Sequence, residues 1–407
     1  MIKTVGKKIL SVEDIEDKKI SWAAVMYLLT QAINMTIKTV LPIPENFWGM
    51  ISAFFGVVIL FYFIRVFRTV YKRVKNIIYV SYGAFSFIFL VSALLITLRE
   101  EPLTVLTNPY IITVFVFWLP TGICAAAIKN YEILYNTFLK SSYIIFFLAI
   151  WCFWGEKIES ENENIYNMQM GFSLIIPTLF HLNEVFKRRY KFLFLFAIEV
   201  IIIIIYANRG VLLSLAFFTF YKVFVDHKNL FFSFLILVFS VFLLANLQSI
   251  SLSVLDFLSR YHLSSRTLLS IVNDTLQEST GREEIWGICN NMLLVHPVTG
   301  WGVGGECYEI YKELGSLGNY GYGNSPHNAL LQFLLQFGII GGLIAIFLFL
   351  IPIFKMHLIK DINRNHLLLV LCSSSVIPCC YSAGDVFLKP AIALYFFLYY
   401  CKSIKKY

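Results

Sequence analysis

The stretch FLFLFAIEVIIIIIYANRGVLLSLAFFTFYKVFV, residues 192–225, decides the fold. It is one long apolar run interrupted by the polar group Asn208-Arg209-Gly210. About 20 apolar residues of helix, rising about 1.5 Å each, cross the hydrocarbon of a bilayer. The run is longer than one crossing needs, so it reads as a tight hairpin of two spans, 192–207 and 210–225, with Arg209 at its tip.

Outward from the hairpin the same signal repeats. Further spans are expected near 21–41, 47–64, 77–98, 110–128, 141–154 and 165–183 on one side, and near 230–248, 327–354, 366–382 and 386–401 on the other. Composition agrees: 58% of the 407 residues are hydrophobic and only 14% charged, with a mean hydropathy of +0.72. Soluble domains carry about 25% charged residues, and a soluble chain this apolar would lack the polar surface to cover its core. Residues 1–20 mix lysines with acids and hold no apolar signal core, so the first span is expected to direct insertion.

The net charge of +8 does not indicate nucleic acid. Placing the N-terminus in the cytoplasm makes 1–20, 65–76, 129–140, 184–191, 222–229, 355–365 and 402–407 the inner segments, and these hold 24 of the 33 Lys and Arg. The outer loop from Gly155 to Asn164 is acidic. This orientation obeys the positive-inside rule and its inverse violates it. The expected fold is therefore an all-α polytopic integral membrane protein of about twelve transmembrane helices, with one large external loop between helices 9 and 10. Its parts are a cytoplasmic segment 1–20, helices 1–9 in 21–248, the external loop 249–326, helices 10–12 in 327–401 and a cytoplasmic tail 402–407. Loops as long as 249–326 are usually functional. Within it, Asp274 to Val295 has amphipathic helical spacing, broken at Ser279-Thr280-Gly281.

Six of the eight cysteines lie in or beside spans and read as small hydrophobes. Cys289 and Cys307 share the external loop, where spacing alone leaves a disulfide open. No Cys/His set has zinc spacing and no calcium loop is present, so no metal is expected.

Few basic residues fall outside, and those stand out. Arg209 could snorkel at the interface and help its turn, but it lies on the side where this chain otherwise avoids positive charge. Arg282 could pair with Glu283 or Glu284 as an ordinary loop residue. Arg260 and Arg266 flank Tyr261-His262 with a weaker claim. His296-Pro297 precedes the run Gly300-Trp301-Gly302-Val303-Gly304-Gly305, which follows no strand and so is no dinucleotide fingerprint. His296 reads more readily as a partner of local backbone. Ser325-Pro326 looks like a helix start, which puts His327 and Asn328 at the outer boundary of the tenth span. Arginines hold phosphate oxygens by a two-pronged fork, and a histidine titrates near neutrality and can take a proton from a hydroxyl. Together they suggest group transfer from a lipid-linked diphosphate to an alcohol.

The ordered set Gly281-Arg282, Ile285-Trp286, His296-Pro297, Gly300 to Gly304, Ser325 to Gln332 and Gly338-Ile339-Ile340-Gly341 resembles the O-antigen ligase and polymerase superfamily, and Arg209-Gly210 resembles that family's short external loop. The match covers about 60 residues well, and beyond them it is one of topology. The residues before Arg209, Ala207-Asn208, depart from the small hydroxyl residue the pattern leads one to expect. The resemblance implies a metal-independent, cofactor-free inverting glycosyltransferase in the bacterial inner membrane, with its active site on the external face. Arg209 and Arg282 would hold the donor's undecaprenyl diphosphate, and His327 would be the base. His296, Asn328, Arg260 and Arg266 are possible supporting residues. The partners implied are an undecaprenyl-diphosphate-linked oligosaccharide donor, a glycan acceptor, membrane lipids and a chain-length regulator. A polymerase joining repeat units of O-antigen or capsule is favoured over a ligase acting on lipid A core. A flippase is disfavoured because transporters often carry internal repeats and interrupted spans, and neither is visible here.

Overall fold

The computed structural model of the chain describes residues 11–41, 43–97, 109–159, 168–206, 209–226, 246–260, 266–273, 282–314, 325–381 and 385–403. Among the described residues every regular element is a helix. The expected ninth span, 230–248, lies almost wholly outside them, as do residues 160–164 of the expected outer loop 155–164 and the break at 279–281.

α1 (Val12–Val40) begins at Ser11, whose hydroxyl accepts the Asp14 N–H while the Asp14 carboxylate reaches back to the Ser11 N–H. This reciprocal cap satisfies two of the orphan donors of a first turn. α1 buries Ile20, Ala23, Ala24, Leu28 and Ala32 against α2 (Trp48–Thr97) and α4 (Tyr131–Glu159).

α2 has 50 residues, about 75 Å if straight. It is not straight. Val74 has φ −138° and ψ 32°, outside the helical region. The expected position of a Cβ on Gly56 is 3.4 Å from the Phe117 ring, and Tyr82 donates to the Phe115 carbonyl at 3.0 Å. One short segment meets both arms only if α2 doubles back at Val74, so its arms take the places of the expected spans 47–64 and 77–98. Arg73 pins the bend. It donates to Glu16 at 2.7 Å, to the buried Asp17 and to the Ala127 carbonyl at 3.2 Å. Asp17 also accepts the Lys129 and Asn130 N–H groups at 3.2 and 2.7 Å. A buried charge is tolerable only when compensated in this way.

α3 covers 109–127 and contains a π-helical turn, Thr113–Trp118. α5 (Met168–Phe186) and α6 (Phe192–Ile205) are tied by His181, whose Nδ1 lies 3.0 Å from both Glu199 oxygens, with both side chains fully buried. α7 (Arg209–Tyr221) ends in the π turn Lys222–Asp226. α6 and α7 are the hairpin expected at 192–225, and α7 packs against α13, which covers 362–381. α14 (Pro390–Ser403) packs on α3 and α13. Among the described residues five helices are, by length and composition, long and apolar enough to cross a membrane: Val12–Val40, Trp48–Ile96, Tyr110–Ala127, Tyr131–Gly155 and Ala329–Leu358. Their outer faces carry exposed Phe54, Phe61, Ile64, Phe67, Ile344 and Phe347, as a surface solvated by lipid would.

The segment expected to be external contains α8 (Leu247–Ser259), α9 (Arg266–Val272), α10 (Arg282–Val295) and α11 (Gly305–Leu314). α10 and α11 form a small core of their own from Ile285, Cys289, Met292, Ile310 and Leu314, closed by Leu335. Cys289 and Cys307 are both free thiols.

Leu335 belongs to α12 (Ala329–Lys355), and here the expectation of one plain span over 327–354 needs correction. Gly338 has φ 70° and ψ 179°. A Cβ on Gly342 would stand 2.6 Å from the Leu334 Cα, whereas residues eight apart in a straight helix are about 12 Å apart. α12 therefore reverses at Gly338, and its first arm, residues 329–337, lies alongside its second. The reversal leaves carbonyls without helical partners. The loop after α10 supplies donors: Trp301 N–H to Leu335 O at 2.6 Å and Gly302 N–H to Gln336 O at 3.1 Å, with Ile339 N–H returned to Pro297 O at 2.7 Å. The glycine run, with positive φ at Gly300, Gly302 and Gly304, thus caps a broken helix.

Candidate active site

The candidate site is built around His327 and Asp385. They come from distant parts of the chain, and both hold left-handed backbone, φ 51° and 61°, unusual for residues with a Cβ. Such strain is kept where surrounding structure over-determines it, often at functional sites. The surroundings are visible. Ser325 Oγ accepts the His327 N–H at 3.3 Å. Asn328 is the true N-cap of α12, its Oδ1 accepting the Leu330 and Leu331 N–H groups at 3.0 and 3.2 Å. The helix therefore starts after Asn328 and not at Ser325-Pro326, which leaves His327 in the turn before the cap. Trp286 of α10 holds that turn from outside, donating its indole N–H to the Pro326 carbonyl at 2.8 Å.

Asp385 stands in the link between α13 and α14, ahead of the 3-10 turn Val386–Leu388. Burial pushes its carboxyl above the ordinary carboxylate value, while a hydrogen bond from Tyr110, the charge of His327, a hydrogen bond from Ser325 and the charge of Lys389 pull the other way. His327 and Asp385 are thus close enough for the charge of one to act on the other.

A second carboxylate lies behind them. Glu306, at the start of α11, is fully buried. Burial pushes its carboxyl up to about 7, against hydrogen bonds from Gln336, Gln332 and the backbone. Its Oε2 accepts the Gly304 N–H at 2.7 Å. Gln332 bridges the two acids, its Nε2 lying 3.3 Å from Glu306 Oε1, 3.4 Å from Asp385 Oδ1 and 3.2 Å from the Tyr110 hydroxyl. Its orientation is fixed because Oε1 accepts the Val386 N–H at 3.3 Å. Cys307 Sγ is 3.2 Å from the Tyr110 hydroxyl, and burial, with Glu306 and Asp385 nearby, pushes that thiol far up, out of reach of nucleophilic use.

The other expected residues fall as follows. Arg209 opens α7, Arg266 opens α9 and Arg282 opens α10; their side chains lie outside the described residues. α7 packs against 377–381, which leads towards Asp385. Arg260 is exposed and pairs with Asp256 at 3.1 Å. His296 sets its ring edge-on to Trp301, centroids 4.6 Å apart, and its carbonyl accepts the Gly300 N–H, so it helps shape the capping loop. Asp385, Glu306, Tyr110 and Gln332 were not among the expected residues. Asp385 carried a usable signal, an acid between two apolar runs.

Residues 189–346 match the family model described as O-Antigen ligase. No curated protein and no solved structure matches the chain. The matched segment begins before α6 and ends in the second arm of α12, so it contains Arg209, Arg282 and His327 but neither Tyr110 nor Asp385.

Proposed function

We propose, from the match of residues 189–346 to the O-antigen ligase family and from the geometry around His327, that this protein is a bacterial surface polysaccharide polymerase of the inner membrane. It transfers a lipid-diphosphate-linked glycan onto a sugar hydroxyl of a second lipid-linked unit, with the His327 end of the bundle outside the cytoplasm. The observation that carries the reading is the His327 turn, strained, followed by a capped helix and near a half-buried carboxylate. In the reaction His327 takes the proton of the acceptor hydroxyl. The hydroxyl oxygen forms the new bond to the anomeric carbon, and the bond from that carbon to the diphosphate breaks with inversion. Asp385 stabilises the imidazolium. Arg209 and Arg282 take up the charge that develops on the departing undecaprenyl diphosphate. The N-terminus of the first arm of α12, beside His327, adds its positive end to the same task.

The test is gene deletion followed by gel analysis of the surface glycan, with complementation by His327→Ala. Loss of chain extension with single repeats retained supports the polymerase. Accumulation of long lipid-linked chains assigns the ligase reaction instead. Wild-type chain lengths in the complemented His327→Ala strain overturn the role of His327.

A further inference from the structure

At the opposite end of the bundle, where the basic residues gather, a cavity of about 260 Å³ opens between α5, α7 and the start of α13. Its lining includes Asn183, Lys187, Lys222, Asp226, Ile362 and Asn365. Lys222 is 3% exposed and donates to Asp226 Oδ2 at 2.7 Å, and Lys187 donates to Glu184 Oε1 at 3.0 Å. An ammonium has three N–H donors, so each retains capacity.

The two asparagines lack the opposite partner. Tyr135 gives its hydroxyl hydrogen to Glu184 at 2.6 Å. It can therefore only accept from Asn183, whose Nδ2 stands 2.7 Å away. That fixes the amide and leaves Asn183 Oδ1, fully buried, with no donor among the described residues. Asn365 Oδ1, on a half-buried side chain, likewise has no donor among the described residues. Buried acceptors of this kind normally find a donor.

The cavity thus offers ammonium N–H groups to an anion, and its asparagine-bearing wall holds amide oxygens that lack a donor among the described residues. Around it Lys187, Arg188, Arg189, Lys191 and Lys222 outnumber Glu184 and Asp226, which disfavours a cation. Ile362, on its wall, is 68% exposed and gives the opening an apolar lip. We propose that this cavity binds a glycerophosphate group, its phosphate on the lysines and its hydroxyls on the asparagine oxygens, and that the source is the headgroup of an anionic phospholipid. Basic pockets between helices are suited to such headgroups. The proposal does not depend on the glycosyl-transfer reading.

The test uses the purified full-length chain, delipidated in detergent. Its melting temperature is followed during titration with short-chain phosphatidylglycerol, short-chain phosphatidylcholine and glycerol 3-phosphate. Phosphatidylglycerol is expected to raise the melting temperature saturably, and phosphatidylcholine is not. Lys222→Gln and Asn365→Leu are each expected to weaken the response about tenfold, as loss of a hydrogen bond to a charged or buried group does, and Lys222→Arg to retain it. Should Lys222→Gln not fold, Asn365→Leu carries the test alone. A response to glycerol 3-phosphate as strong as to the lipid keeps the glycerophosphate site and assigns it a soluble ester. Equal responses to the two lipids, no response to any ligand, or unchanged midpoints in the variants overturn it.

Discussion

The indole N–H of Trp286 donates to the carbonyl of Pro326 at 2.8 Å, so α10 holds the turn that carries His327. Trp286→Phe keeps most of the ring and removes the bond. The turn loses about 1 kcal/mol of support. Polymer synthesis in membranes is expected to fall several-fold while the amount of protein is unchanged.

Asp385→Asn removes the charge that favours protonated His327. The rate is expected to fall about 10²-fold. The acidic limb of its pH profile should also move to lower pH, because the imidazole becomes a weaker base. A loss of rate with an unmoved limb would leave Asp385 a purely architectural part.

Arg209→Lys and Arg282→Lys keep the charge and lose the planar fork that matches a diphosphate. Each is expected to lower transfer from a lipid-diphosphate donor by more than tenfold. Full activity in both, assayed with a radiolabelled donor, removes them from the donor site.

Gly338→Ala would put a Cβ 2.2 Å from the Val298 carbonyl oxygen on a backbone with φ 70°. No adjustment of a flexible side chain relieves that contact. The reversal of α12 is expected to fail, with protease-sensitive external helices and no activity. Gly49→Ala, where no heavy atom lies within 4 Å of the added Cβ, is the matched control.

Glu306 has its carboxyl raised by burial from 4.5 to about 7. The folded form holds a proton more tightly than the unfolded one, so the stability this group contributes is complete below pH 4.5 and is lost as pH rises through 7. The melting temperature of the purified protein should fall across that interval. Glu306→Gln, which imitates the protonated acid, should flatten the dependence.

The hairpin at 192–225 was legible because two apolar runs and a polar tip are a strong local signal. The arms of α2 were legible for the same reason, although Val74 needs no turn residue to bend there. The break at Gly338 was not, since a glycine among Ile and Phe reads as ordinary membrane helix. Its cause, the donors of Trp301 and Gly302, lies more than thirty residues upstream. His327 stood out in the sequence for its chemistry, but its nearness to Asp385 did not. Asp385 is 58 residues further on, and only the packing of α3, α12 and α14 brings it, Tyr110 and Gln332 to one place. Glu306 reads in sequence as a solvated first-turn acid, and its burial is purely tertiary.

The bonds from Trp301 and Gly302 to the end of the first arm of α12, and from Ile339 back to Pro297, have a consequence for biogenesis. The capping loop leaves the ribosome before the helix it caps. Its donors must be served by water until residues 329–355 have followed. Docking of the capping loop onto α12 is therefore a late step in maturation. The amides of Trp301, Gly302 and Ile339 should acquire protection from hydrogen exchange together.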